Sequence, residues 1–183
     1  MIPYIILGVC SLLVLYALIT YNSLVKLKNL VEEAFATMDV YEKKRWDLVP
    51  NLVETVKGYA SHEQETLNQI VTLRGSSYGS MSLNEKVDTN QKLSEGISKL
   101  LALSEAYPDL KANENFRDLN KQLVEIEEDI AQSRKYYNGT IRKINTKIQM
   151  FPSNLIAAMT GFHAYSMYEI SEGEREAVNV SFH

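Results

Sequence analysis

The sequence predicts an all-α protein: an N-terminal transmembrane helix continuous with an antiparallel four-helix bundle of long helices, and a short fifth helical segment after Phe151-Pro152. Three observations carry that prediction. An uncharged apolar run opens the chain, apolar residues beyond it recur at three- and four-residue spacing, and no segment alternates apolar and polar residues as a half-buried strand does. Pro and Gly are scarce, at 4 and 8 of 183 residues, so few positions interrupt a helix.

Residues 2–21, IPYIILGVCSLLVLYALITY, are almost wholly apolar, and no Asp, Glu, Lys or Arg precedes Lys26. About 20 helical residues span roughly 30 Å, the hydrocarbon thickness of a bilayer. Pro3 falls in the first turn, where its missing N–H has no helical partner to lose. Tyr4 and Tyr21 stand where aromatic side chains settle at the headgroups. A cleaved signal peptide needs a basic leading region, a shorter apolar run and a small-residue cleavage site, and the sequence has none of these. Lipid attachment at Cys10 is disfavoured by Val9 before it and by the lack of Lys or Arg upstream. Residues 1–21 therefore read as an uncleaved anchor that contacts the lipid bilayer through residues 2–21. Lys26 and Lys28 follow the span while only the α-amino group precedes it, so the positive-inside rule puts the N-terminus outside and the domain in the cytoplasm.

Residues 22–170 read as the bundle. Leu24, Leu27, Val31, Ala34, Met38 and Tyr41 form one stripe, which Arg45 interrupts and Leu48, Leu52 and Val56 resume. No strong breaker separates Tyr21 from Leu24, so the span should pass directly into this first helix. Pro50 should bend it, by removing a backbone donor and crowding the preceding turn. Gly58 and Ser61 suggest a stop and restart, with Ser61 capping a second helix over 61–74 that buries Leu67, Ile70 and Val71. The alternative is one bent rod running through Gly58. GSSYGSMS, residues 75–82, is the clearest loop. A third helix is expected over 83–107, with Val87, Leu93, Ile97, Leu100 and Leu101 inward, ended by a turn at Tyr107-Pro108-Asp109-Leu110. Asn113 should cap a fourth helix to about Gln149, whose seam from Phe116 through Leu123, Ile130, Tyr137 and Ile144 is nearly an unbroken heptad. The first helix beyond the membrane and the fourth both have about 36 residues, roughly 54 Å, so they can lie side by side. Residues 171–183 form an acidic C-terminal tail.

Composition narrows the function. Net charge is −4 and the pI about 5.5, without the clustered basic face that nucleic acid requires. A single cysteine permits neither an intrachain disulfide nor a thiolate metal site. His62-Glu63-Gln64-Glu65 begins like a zincin helix, but Thr66 stands where the second His belongs. His163 and His183 lack ligand-spaced neighbours. No nucleophile has a base, and no glycine loop cradles phosphate, so no catalytic residue, cofactor or metal is expected. Asn138-Gly139-Thr140 and Asn179-Val180-Ser181 match glycosylation acceptors, but the patterns are short and the first falls within an expected helix.

Two sets of residues stand out. Arg45 lies on the apolar stripe with Asp47 nearby, and Arg134, Tyr137, Asn138 and Asn145 are polar positions on the fourth helix; together they suggest a structural polar network fixing helix register. For Arg45, which with Asp47 and Glu54 surrounds Pro50, the functional reading is a buried polar network or a partner-binding notch, and the favoured reading is a snorkelling side chain whose head pairs with an Asp or Glu on a neighbouring helix. The second set is Leu155, Ile156, Met159, Phe162, Tyr165, Met167 and Tyr168, in a stretch without charge from 151 to 168. It reads either as a fifth helix closing the bundle or as a contact surface for another subunit, a partner or the bilayer. Glu169, Glu172, Glu174 and Glu176 follow it and disfavour an anionic membrane, so a protein contact is the functional expectation.

The run YNSLVKLKNLVEEAFATMDVYEKKRWDLVPNLVETVKGYASHEQETL, residues 21–67, resembles the LemA family. So do LSEAYPDLKANENFRDLNKQL (103–123) and RKYYNGTIRKINTKIQMFPSNLIA (134–157). The chain departs from the family at Ile144-Asn145, where Tyr-Asn is usual, and at Glu125-Ile126-Glu127, where Thr-Glu-Asn is common; both changes preserve the apolar seam. The family is similar to magnetosome-type membrane proteins. The resemblance implies a helical bundle behind one N-terminal anchor, single-pass in the bacterial cytoplasmic (inner) membrane with the domain in the cytoplasm, and it supplies no reaction. The function expected is a non-catalytic membrane-anchored scaffold or adaptor, self-associating as a homo-oligomer. The alternative is a regulatory partner of another membrane protein, such as an HtpX-type protease.

Overall fold

The structure is a computed structural model that describes residues 1–60, 62–73, 79, 81 and 83–168, with Leu83 and Asn84 described by backbone alone. Among the described residues there are six helices and no strand, as the periodicity predicts: α1 (Ile2–Lys57), α2 (Gln64–Leu73), α3 (Leu83–Leu103), α4 (Pro108–Ala112), α5 (Glu114–Gln149) and α6 (Ser153–Met159).

The anchor and the first helix are one element. α1 runs for 56 residues without interruption, and Pro50 lies inside it without ending it. Its N-terminal stretch is long and apolar enough to cross a membrane, and the large side chains from Ile2 to Leu15 are exposed. Packing begins at Thr20 and Leu24, which are fully covered. The helix stops where glycine predicts: Tyr59 and Ala60 donate their N–H groups back to the Val56 carbonyl at 3.0 and 2.8 Å, and α2 starts afresh at Gln64. The bent-rod alternative is thereby excluded. Ser61 as a cap, most of the loop over 75–82 and the acidic tail lie outside the described residues.

Other boundaries differ from expectation for local reasons. Val71 is exposed, because α2 buries Leu67 and Ile70 and the next residue is turned about 100° away. α3 ends at Leu103, four residues early, in a series of tighter turns that carry Ser104, Glu105 and Ala106 back to carbonyls three residues behind. The Ser104 hydroxyl donates to the Leu101 carbonyl at 2.7 Å and so competes for a helix acceptor. The expected turn at Pro108 is a short helix, α4: proline occupies its first position, where it has no hydrogen bond to lose, and Leu110 is buried beneath it. Asn113 caps α5 as predicted, its Oδ1 accepting the Phe116 N–H at 2.9 Å.

The contacts divide the chain into two compact units. One comprises Ala36–Ser133 and holds the main apolar core, with Val49, Leu52 and Val56 of α1, Ile70 of α2, Ile97 and Leu100 of α3, Leu110 of α4 and Phe116 and Leu123 of α5. At Gly96 the α3 backbone comes so close to α2 that an added Cβ would lie 2.7 Å from Ile70 Cγ1. The other unit comprises Met1–Phe35 with Arg134–His183. There Leu24, Val31 and Ala34 of α1 are buried, as are Tyr137, Ile141 and Ile144 of α5 and Ala157 of α6. Phe35 and Tyr137 pack ring to ring at 5.8 Å.

Candidate functional site

Among the described residues of the Ala36–Ser133 unit, the residue that breaks the apolar stripe is the largest fully buried side chain. Arg45 is 0% exposed. Its guanidinium Nη1 donates to Ser94 Oγ at 2.6 Å and to Glu127 Oε1 at 2.7 Å, and Nη2 donates to the backbone carbonyl and Oδ1 of Asn90 at 3.1 and 2.9 Å. Asn90 in turn donates its amide to Glu42 Oε2 at 2.7 Å. A buried cation is tolerated when acceptors of good geometry meet it, and here both terminal nitrogens of the planar fork are met, although the buried Nε has no hydrogen-bond partner. The network thus ties α1, α3 and α5 together at one point. Lys86 of α3 adds a second bond to α1, 2.6 Å from Asp39 Oδ1.

Asp47, grouped with Arg45 by sequence, is elsewhere: it is exposed and accepts from Lys43 at 2.6 Å, one helical turn back. The partners that sequence reasoning missed are Glu42, Asn90, Ser94 and Glu127. Asn90 carried a readable signal, because it sits on α3's apolar seam between Val87 and Leu93.

The other four polar positions belong to the second unit, where α5 holds an extended strap of residues 162–168. The Asn138 amide donates to the Tyr168 carbonyl at 2.9 Å, and its Oδ1 accepts the Tyr168 N–H at 2.8 Å. Asn145 does the same to Tyr165, with both bonds at 2.9 Å. The spacing explains the fit. Seven residues on a helix rise about 10.5 Å, and three residues of extended chain cover about 10 Å, so two amides on one helix face match two peptide units of an antiparallel strap. Tyr168 is buried under the Arg134 guanidinium, 4.6 Å from its ring centroid. Burial, with a smaller contribution from Tyr165, raises the Tyr137 hydroxyl above its usual 10.0.

The strap begins where α6 ends. Gly161 adopts φ +76°, a left-handed conformation suited to glycine, and the Phe162 N–H returns to the Ala157 carbonyl at 3.0 Å, as in a Schellman cap. Within the segment singled out from sequence, Tyr168 is buried, Ile156, Phe162 and Tyr165 are half-buried, and Leu155, Met159 and Met167 are exposed. Among the described residues no group of three His, Cys, Asp or Glu side chains is placed to hold a metal.

The LemA family model matches residues 34–182. The Protein LemA of Metamycoplasma hominis is 26% identical over 161 residues, covering 87% of this chain and 74% of that protein. Magnetosome protein MamQ 2 of Paramagnetospirillum magneticum is 33% identical over 66 residues, 36% of this chain and only 24% of its own length. Magnetosome protein MamQ of Magnetospirillum gryphiswaldense is 29% identical over the same share of each chain. The first match and the apolar N-terminal helix together mark a membrane-associated protein, and the family is not a known enzyme family.

Proposed function

The chain belongs to the LemA family, and from that premise we propose that it is a non-catalytic, membrane-anchored scaffold or adaptor that acts through helix-mediated contacts and self-associates. It sits in the bacterial cytoplasmic membrane with its N-terminus outside and its helical units in the cytoplasm. The observation that carries this reading is α1: one helix provides an apolar span whose side chains contact little of the chain, and then a wall of both packed units. Polar groups that a catalyst would aim into a cleft are instead spent inside the packing, on Arg45 and on the strap. Orientation is supported by Lys26 and Lys28 just past the span. Mass photometry of the detergent-extracted chain should find a discrete assembly larger than one copy, and a clean monomer would count against self-association. Crosslinking in the native membrane separates the alternative, since adducts to a single membrane enzyme in place of self-adducts would assign the chain a regulatory role.

A further inference from the structure

α6 turns an apolar face outward. Ser153 and Ala157 point into the unit and are buried, while Leu155 and Met159, on the opposite side of the same two turns, are 54% and 83% exposed. Met150 and Phe151, in the turn that precedes α6, are exposed as well. A helix that faces water carries polar residues there, and a continuous patch of large apolar side chains calls for a cover.

The position of α6 identifies the cover. The Phe162 ring, just past α6, meets Tyr21 edge to face at 6.3 Å. Residues 160–165 share an open cleft of about 580 Å³ with Tyr21, Val25, Lys28 and Asn29 of α1. Tyr21 is the last residue of the apolar run, and Lys26 is the first charge in the chain. The chain immediately past α6 therefore packs on α1 at the level where hydrocarbon gives way to headgroups. Charge agrees: residues 134–168 contain Arg134, Lys135, Arg142, Lys143 and Lys147 and no Asp or Glu. Cations beside an uncharged, Met- and Phe-bearing helix are the composition of a segment that lies in a lipid interface.

We infer that α6 is an interfacial foot, with Met150, Phe151, Leu155 and Met159 inserted into the same leaflet from which the anchor emerges. The occupant of this face is the lipid surface and not a protein, which departs from the contact expected from sequence. The inference rests on the anchor and is independent of self-association. Its consequence is a two-point mount, a span and a foot, that restricts rotation and tilt of α1 about the bilayer normal.

Site-directed spin labelling of the full-length chain tests this, in vesicles of phosphatidylcholine with a minor share of phosphatidylglycerol. In a Cys10→Ser background, labels are placed by Leu155→Cys and Met159→Cys. Leu13→Cys marks the span, and Tyr136→Cys, about 20 Å up α5 from Met150, marks the aqueous side. Collision with oxygen should exceed collision with a water-soluble nickel chelate several-fold at 155 and 159, as at 13, and the order should reverse at 136. Chelate access at 155 and 159 equal to that at 136 would overturn the foot. Shielding from both reagents would overturn it equally, by showing a protein surface over α6.

Discussion

Two arginines mark the difference between the two units. Arg45, among residues 36–133 where acidic residues outnumber basic ones, is buried and meets Glu127, Ser94 and Asn90 through four hydrogen bonds. Arg134 opens a stretch, residues 134–168, that has no carboxylate at all, and its guanidinium lies over the face of Tyr168. The first unit fastens three helices with a charge network. The second fastens an extended strap with neutral amides and a ring. A buried cation is strict about partners, because losing one leaves its charge less compensated. Amide-to-backbone bonds are undemanding, because every strap residue offers the same N–H and C=O. Strict register is thus concentrated in Ala36–Ser133, while residues 134–168 of the other unit hold their strap without a carboxylate.

The contrast is most easily broken at Arg45. Arg45→Ala should destabilise the Ala36–Ser133 unit by about 2–3 kcal/mol, since it removes the buried cation and its four hydrogen bonds, while Glu127, about a third exposed, is partly compensated by water. Arg45→Lys should recover only part of that, because an ammonium lacks the planar fork that reaches Ser94, Glu127 and Asn90 together. The buried Trp46 is the one tryptophan in the chain and reports unfolding of this unit directly in urea. A loss below about 1 kcal/mol would put the network in the class of solvated surface pairs and remove the distinction.

Arg45 also shows what a sequence can and cannot disclose. A cation on an apolar stripe is visible at once, as is the all-helical architecture, because both follow from one-dimensional spacing. Its partners are not visible in the same way: Asn90 and Glu127 are 45 and 82 positions away, and only helix packing brings them in. Asp47 was close in sequence and wrong in direction, since two residues along a helix are about 200° around it; it faces Lys43 instead. For Asn138 and Asn145 the shared face was legible from their spacing of seven. Their partner was not, because a strap recognised by its backbone carries no side-chain pattern. The C-terminal apolar segment was recognised as unusual, yet its contact with Tyr21 became apparent only in three dimensions.

The strap is the next place to sharpen the comparison. Asn138→Ala or Asn145→Ala removes a donor and an acceptor together, and each should weaken the strap by about 1–2 kcal/mol. The effect should be local: amide exchange at Tyr165 and Tyr168 should accelerate by about an order of magnitude while Trp46 unfolds as before. If either change lowered the stability of the Ala36–Ser133 unit to the same degree, the two fastenings would not be independent.

The smallest expected effect lies at Tyr137. Its hydroxyl titrates above 10.0 in the folded chain, first because it is buried and second because Tyr165 is near. A group whose folded pKa is raised favours folding fully below its unfolded value, and that contribution is lost as pH rises through the folded one. Stability should therefore fall above about pH 10, and fall less in Tyr137→Phe, as followed by circular dichroism and by phenolate absorbance. Asn145→Ala gives the test its direction. Freeing Tyr165 from the clamp removes one cause of the shift and admits water to the other, so the Tyr137 titration should move back toward 10.0. A midpoint unmoved by loss of the clamp would mean that the α5 packing around Tyr137, and not the strap, keeps its hydroxyl dry.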